Sequence, residues 1–454
     1  MTSSALETTV DSTLRKMPTQ RGRLLSGSLF EAWEDPIALF TKATREHGDL
    51  VCFRFAYLEY FLLADAVAAH RVLVENAKGY VKSPNYQGLK VMLGQGLLTS
   101  EGDYWKRQRK LAQPAFHRDR LAGFAAQMTR ATDDMLGRWD SELRGAFDLH
   151  AEMMRLTFRI VGLTLLSTDL EAESDEFGAS LNVALRWANE YVESLVRLPP
   201  WVPTPKNLAF RKAQRTIEGV VGRVLGERRA SGQDGDDLLG MLMSVRDETT
   251  GEGMTDRQLM DELLTLTLAG HETTANALTF TFYLLSRHPE VRRKLDAEIA
   301  TVLEGRTPTL ADLPRMPYTK AVIEEAMRLF PPAWVVERLS LDADTVGGYH
   351  LPKNAIVGVS PFVMHRNPRY WKNPEGFDPE RFLIKDESRP KLAYMPFGAG
   401  PRTCIGNAFS MMEMQLIVPM IAQRSALDLV PGFKLELDPS VTLRPKHGVT
   451  VTRA

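Results

Sequence analysis

The residue with the sharpest chemistry is Cys404, in Phe397-Gly398-Ala399-Gly400-Pro401-Arg402-Thr403-Cys404-Ile405-Gly406, ahead of an apolar stretch through Met411, Met414, Ile417 and Met420. A thiolate ligates a metal well only if its charge is stabilised, and backbone N–H groups at a glycine-rich turn entering a helix supply that stabilisation. The glycines let the backbone approach a flat cofactor closely, and Arg402 can pair with a carboxylate on it. The only other cysteine is Cys52, so no disulfide framework is possible and the composition fits a reducing cytosol. A second group lies in Ala269-Gly270-His271-Glu272-Thr273-Thr274. His271-Glu272 opens a zinc-protease motif, but the second histidine would fall at Ala275, so that metal site lacks a ligand. An acid beside an alcohol remains, next to a glycine that costs a helix about 1 kcal/mol relative to alanine. A threonine bonding back to the preceding turn accounts for this segment as well as a chemical role does.

Two further pairs share helix faces. Glu325 and Arg328 are three apart, a spacing repeated at Glu152/Arg155 and Glu290/Arg293, where solvated pairs are expected. Trp105 and Arg109 are four apart in a basic stretch with Lys106, Arg107 and Lys110, for which a solvated face is the default.

The elements that must position these residues read as follows. Pro36–His47 carries Ile37, Leu39 and Phe40 at helical offsets and stops at Gly48, and Leu50–Phe55 and 60–63 read as short strands. Helical patterning dominates 103–229 except at 198–205, where Pro199, Pro200, Pro203 and Pro205 forbid a continuous helix and suggest a lid-like connection. Turn-rich 230–237 reads as a surface loop. Thr255 can cap a long helix to about 286, with Leu259, Leu263, Leu266 and Leu278 spread too evenly around it for a surface element. Helices at Pro289–Leu303 and 317–330 each open with proline, 335–359 alternates like strands, and 368–396 has no regular period. The fold class is mainly α with a minor β part.

With these flanks, the Cys404 segment resembles the haem-binding loop of the cytochrome P450 family, matching at Phe397, Gly400, Arg402, Cys404 and Gly406. The resemblance runs from about residue 30 to the C-terminus and implies haem b held by Cys404 as axial thiolate, with Phe397, Gly398 and Gly406 in the binding loop. Ala269, Gly270, Glu272 and Thr273 are similar to the family's oxygen groove, which implies that Thr273 hydrogen-bonds bound O2 and that Glu272 belongs to the proton supply. Glu325, Arg328 and Arg381 look like the family's structural cluster behind the haem loop. Trp105, Arg109, Arg402 and Arg338 resemble its propionate clamp. His365, in a recurrent family tetrapeptide, is equally well a packed or turn-capping residue, and its role stays open.

By family layout the substrate pocket takes Leu89, Met92 and Leu93 from one segment and Trp187, Tyr191 and Leu195 from another. Leu266 on the long helix, Ala333, Trp334 and Val335, and Val441 near the end complete it, so a hydrophobic small molecule is expected (fatty acid, terpenoid, steroid or polyketide). Arg186 and Arg197 are more readily surface arginines than carboxylate partners. The implied reaction is hydroxylation or epoxidation with two electrons from NAD(P)H. A ferredoxin or flavodoxin with its reductase would deliver them, docking near Lys106, Arg107 and Lys110. Peroxygenases and isomerases share this fold, and a haem sensor without turnover is the rival from another class; peroxide chemistry has less need of the Glu272 and Thr273 pair, and a sensor none.

The 454 residues, 44% hydrophobic and 25% charged, exclude a disordered or collagen-like chain, and the net charge of -1 gives no field to recruit nucleic acid. No apolar run approaches the ~20 residues a membrane span needs, and the charged start lacks a signal peptide's apolar region. We expect a cytoplasmic monomer with a flexible tail over 1–29 and a single catalytic domain over 30–454.

Overall fold

The computed structural model describes residues 15–117, 122–194, 196–232, 235, 237–247 and 250–453. In chain order, α1 is Pro36–His47, β1 Leu50–Phe55, β2 Leu58–Leu63, β3 Tyr80–Lys82, α2 Gln87–Leu93, α3 Gly102–Ala112, α4 Ala125–Glu142, α5 Leu149–Leu165 and α6 Ser174–Glu193. Then come α7 at Pro205–Ser231, α8 at Asp256–Arg287, α9 at Pro289–Leu303, α10 at Pro317–Leu329, β4 at Val336–Ser340, β5 at Ile356–Val359, α11 at Asn407–Arg424, β6 at Leu437–Pro439 and β7 at Leu443–Pro445. The architecture is mainly helical with a minor β part, as the patterning indicates.

The five-stranded sheet runs in the order β1, β2, β5, β4, β3, with β2 and β5 parallel and the other neighbours antiparallel. Alternation sends its two faces into different cores. Cys52 and Phe61 pack with Val72 and Val357, while Val51, Phe53 and Leu62 pack with Phe40 and Trp334. The hairpin starts earlier than expected because Leu58 pairs with Phe55 across a tight turn in which Ala56 takes a positive φ of 56°.

Within the span expected as a tail, residues 17–20 pack on the strand edge. Met17 is buried, Cys52 N donates to the Pro18 carbonyl at 2.8 Å, and Gln20 N donates to the Cys52 carbonyl at 2.8 Å, so the strand edge binds this segment. Residues 1–14 lie outside the described residues.

Helix α8 is the central beam. The Thr255 side chain accepts from Gln258 N at 3.3 Å and the Gln258 side chain accepts from Thr255 N at 2.8 Å, closing a capping box. Its 32 residues run about 48 Å. Buried residues surround most of its circumference, and it packs against α5, α7, α10 and α11. The proline-rich break separates α6 from α7, which starts with Pro205 behind the Thr204 cap.

One expected solvated pair is not solvated. Glu152 is buried and accepts from Arg138 at 2.8 Å, Arg155 at 2.6 Å and Trp139 Nε1 at 2.6 Å, because α4 and α5 pack with this carboxylate between them.

Candidate active site

Cys404 sits three residues before α11 on a turn that its own backbone ties. Cys404 N donates to the Phe397 carbonyl at 2.9 Å and Thr403 N to the Gly400 carbonyl at 3.0 Å. Gly400 has φ +69°, and a Cβ there would stand 1.9 Å from the Leu73 carbonyl oxygen, so only glycine fits. Cys404 is exposed, but to a cavity of about 960 Å³ whose lining it joins with Phe397, Gly398 and Gly406. Burial pushes its thiol above the ordinary range, opposed by the Gly406 N–H and the Arg109 guanidinium.

Across the cavity, α8 presents Leu266, Ala269, Gly270, Glu272 and Thr273. The Thr273 hydroxyl donates to the Ala269 carbonyl at 2.6 Å, the bond back to the preceding turn, which leaves its oxygen free to accept. Glu272 is buried; Oε1 accepts from the Thr442 hydroxyl at 2.6 Å and lies 3.9 Å from Arg444, while Oε2 has no partner among the described residues. Burial pushes this carboxyl up, with Thr442 and Arg444 opposing. A Cβ on Gly270 would meet Val161 at 3.1 Å, so its small size serves the approach of α5.

Positive groups crowd one side of the same cavity: Lys82, Arg109, Arg338 and Arg402 all line it with Trp105. The Arg402 guanidinium lies 3.8 Å from the Trp105 ring centroid, donates to the Ser100 carbonyl at 3.0 Å and pairs with Glu101. Arg109 donates to the Thr403 carbonyl at 2.9 Å and Arg338 to the Glu337 carbonyl at 2.8 Å. Lys82 was missed from sequence; the β3–β4 register places it opposite Arg338, a juxtaposition no local pattern signals. Burial, then Arg338 and Arg402, push its ammonium down to about 7. Three half-buried cations and the buried Arg338 on one cavity wall call for an anion. A haem fits these residues: an accessible thiol for the iron, and this cluster for its carboxylates.

The cluster behind the loop is closed. Glu325 accepts from Arg328 Nε at 2.6 Å and Nη2 at 2.7 Å, from Arg381 Nε at 3.2 Å and from Asp378 N at 2.9 Å. Arg328 also donates to the carbonyls of His365, Pro374 and Gly376 at 2.8, 2.6 and 2.9 Å. His365 Nε2 accepts from Met395 N at 2.9 Å, two residues before Phe397, so it fastens the approach to the loop.

Of the expected pocket residues, Leu89, Leu266, Ala333, Trp334, Val335 and Val441 line the cavity. Met92, Leu93, Trp187 and Tyr191 do not. Met92 and Leu93 turn into the helical core, and Trp187 stacks between Tyr191 and Phe210 at 4.8 and 3.9 Å while donating to Asn207 at 2.8 Å. Leu195 lies outside the described residues. Arg186 is exposed and away from the cavity, whereas Arg197 lines it and donates to the Val192 carbonyl at 2.9 Å. Leu97 and Leu98, at the end of the segment expected to supply Leu89, also line the cavity, and Thr265, Trp33 and Tyr57 join the lining without having been expected there.

A family model described as Cytochrome P450 matches residues 17–450. The chain is 37% identical over 411 residues to cyclooctatin synthase of Streptomyces melanosporofaciens, covering 89% of this chain and 88% of that one. It is 35% identical to cyclooctat-9-en-7-ol 5-monooxygenase of the same organism, covering 90% and 89%. It is 32% identical to pentalenene oxygenase of Streptomyces avermitilis, covering 91% and 90%. Among the described residues no helix is long and apolar enough to cross a membrane.

Proposed function

The chain belongs to the cytochrome P450 family, and from that premise we propose that it is a monooxygenase of terpenoids. It draws two electrons from NAD(P)H through a ferredoxin or flavodoxin and its reductase. The family is one of haem-thiolate enzymes, and the haem supplies activation of O2 for insertion of one oxygen atom into an unactivated bond. Cys404 would hold the iron, and Lys82, Trp105, Arg109, Arg338 and Arg402 the carboxylates.

The observation that carries this reading is a thiol and an acid–alcohol pair on one large cavity. Leu89, Leu266, Ala333, Trp334, Val335 and Val441 give the substrate an apolar wall and exclude water from the reacting bond. Thr273 offers its hydroxyl oxygen to a proton-bearing group in the cavity. Glu272, uncharged more readily than a solvated carboxyl, supplies a proton from the same helix turn. The names of the relatives favour a terpenoid over a fatty acid or macrolide.

Spectral titration of the reduced and resting haem protein tests this. Carbon monoxide should give the thiolate-type Soret band, and Cys404→Ser should abolish it. Cyclic sesquiterpene and diterpene alcohols should shift the spin state at lower concentration than palmitate, a steroid or a macrolide. A nitrogen-type band, or no preference for the terpenoids, would overturn the corresponding half of the reading.

A further inference from the structure

Two adjacent carboxylates on α8 have no part in the chemistry above. Asp261 and Glu262 are both buried, one turn from the cavity-lining Thr265. Asp261 Oδ1 lies 2.9 Å from Arg257 Nε one turn back on the same helix, and the other partners lie in the short connection between α2 and α3. Asp261 Oδ2 accepts from Gln95 N at 2.8 Å, and Glu262 Oε2 accepts from Leu97 N at 3.0 Å. Two alternate backbone donors of one loop are thus held by two consecutive acids of one helix.

The loop is built for that approach. A Cβ on Gly94, whose φ is +66°, would stand 2.3 Å from the Asp261 carboxylate, and one on Gly96 would stand 2.0 Å from Thr265 Oγ1 and 2.6 Å from the Asp261 carbonyl oxygen. The loop also closes on itself: Thr99 Oγ1 donates to the Gly94 carbonyl at 2.6 Å, and Ser100 N donates to the Gly96 carbonyl at 2.9 Å. Leu97 and Leu98, carried by this loop, are cavity wall.

The acids are costly where they stand. Burial pushes the Glu262 carboxyl up to about 7, the Leu97 N–H opposing and Asp261 adding, and Glu262 Oε1 has no partner among the described residues. Core packing alone would place apolar side chains here, since a buried carboxylate stabilises a fold only through the donors it satisfies. Arg257 apart, those donors belong to the loop.

We propose that Asp261 and Glu262 are positioning residues for substrate selection, clamping the loop over 94–98 onto α8 so that Leu97 and Leu98 form a fixed wall against which bulky ligands are sorted. The inference rests on the reading of this cavity as the substrate site. It concerns the wall and not the reaction, so a chain that fails to oxidise terpenoids leaves its test intact.

The test uses the haem-loaded protein with imidazole and clotrimazole, which both bind haem iron through nitrogen and differ greatly in bulk. Amide hydrogen exchange at Gln95 and Leu97 in the ligand-free wild type should be strongly protected. In the Asp261→Asn/Glu262→Gln double variant it should speed up by about tenfold or more, as expected for weakened charge-assisted hydrogen bonds. The association rate of clotrimazole should rise several-fold while that of imidazole stays unchanged. Gly96→Ala leaves both carboxylates in place and pries the loop off through its new methyl group, and it should give the same split between the two azoles. Wild-type amides that exchange like an unstructured peptide would overturn the clamp. So would azole rates that move together in the variants, or a Gly96→Ala protein that sorts ligands as wild type does.

Discussion

Thr273 donates its only proton to the Ala269 carbonyl, so in the proposed function its oxygen would serve as an acceptor for a proton-bearing group in the cavity. Removing it should leave folding and haem binding intact and damage the economy of the reaction. In Thr273→Ala we expect product formed per NADPH to fall by about tenfold or more, within the range assigned to positioned proton transfer. Hydrogen peroxide should account for the missing electrons, and an unchanged product-to-NADPH ratio would remove the role. Lys82 makes a different contribution. Its ammonium is held down by burial and by Arg338 and Arg402, so a bound carboxylate relieves both penalties. Lys82→Met should speed haem transfer to apomyoglobin by about tenfold, a lost charge-assisted bond, while the carbon monoxide band stays in place. A transfer rate equal to wild type would show that the three arginines suffice.

Between elements, the joint of α10 with the irregular stretch before the haem loop concentrates its charge in one place. Arg328 is fully buried and its guanidinium is shared between Glu325 and three carbonyls. Glu325→Gln leaves that cation without its counter-charge, which should cost about 3–5 kcal/mol, read as a lowered urea midpoint with poor haem incorporation. The reverse assignment, a merely solvated pair, predicts a midpoint near wild type. Features of this kind differ in how far a sequence reveals them. Helix α8 was legible because its cap, length and apolar spread are local. The Cys404 turn was legible because its thiol, its glycines and the helix start are contiguous. Lys82 beside Arg338, and Leu97 against Glu262, depend on strand register and loop path across long separations. Met92 and Trp187 pack in the core for another reason: an apolar residue on a helix between core and cavity satisfies either surrounding, and sequence does not say which. Glu152 looked like Glu290, and only the packing of α4 on α5 separates them.

Over the molecule as a whole, stability against acid is set by groups whose burial enforces one charge state. His271 lies against Phe158 and Phe177 with centroids 5.2 and 6.3 Å away, and burial pushes it down to about 3. Burial, with Arg328 adding, does the same to His365. Unfolded, both titrate near 6.5. Between these values the unfolded chain binds protons that the folded chain refuses, so stability falls as pH drops, by up to about 1.4 kcal/mol per pH unit for each histidine. Buried carboxyls work in the opposite sense. Glu262, pushed up to about 7, and Glu272, also raised, keep protons in the folded state that the unfolded chain has released above its ordinary carboxyl range, so they cost stability as pH rises. The net profile is a sum of both, but a single substitution isolates one of them. His271→Phe keeps an aromatic ring beside Phe158 and removes the proton site. The slope of unfolding free energy between about pH 6 and 5, from urea titrations of the haem-loaded protein, should flatten by about 1.4 kcal/mol per pH unit relative to wild type. Equal slopes would mean that the imidazole charges in place, and that α5 and α8 do not exclude water as tightly as their packing indicates.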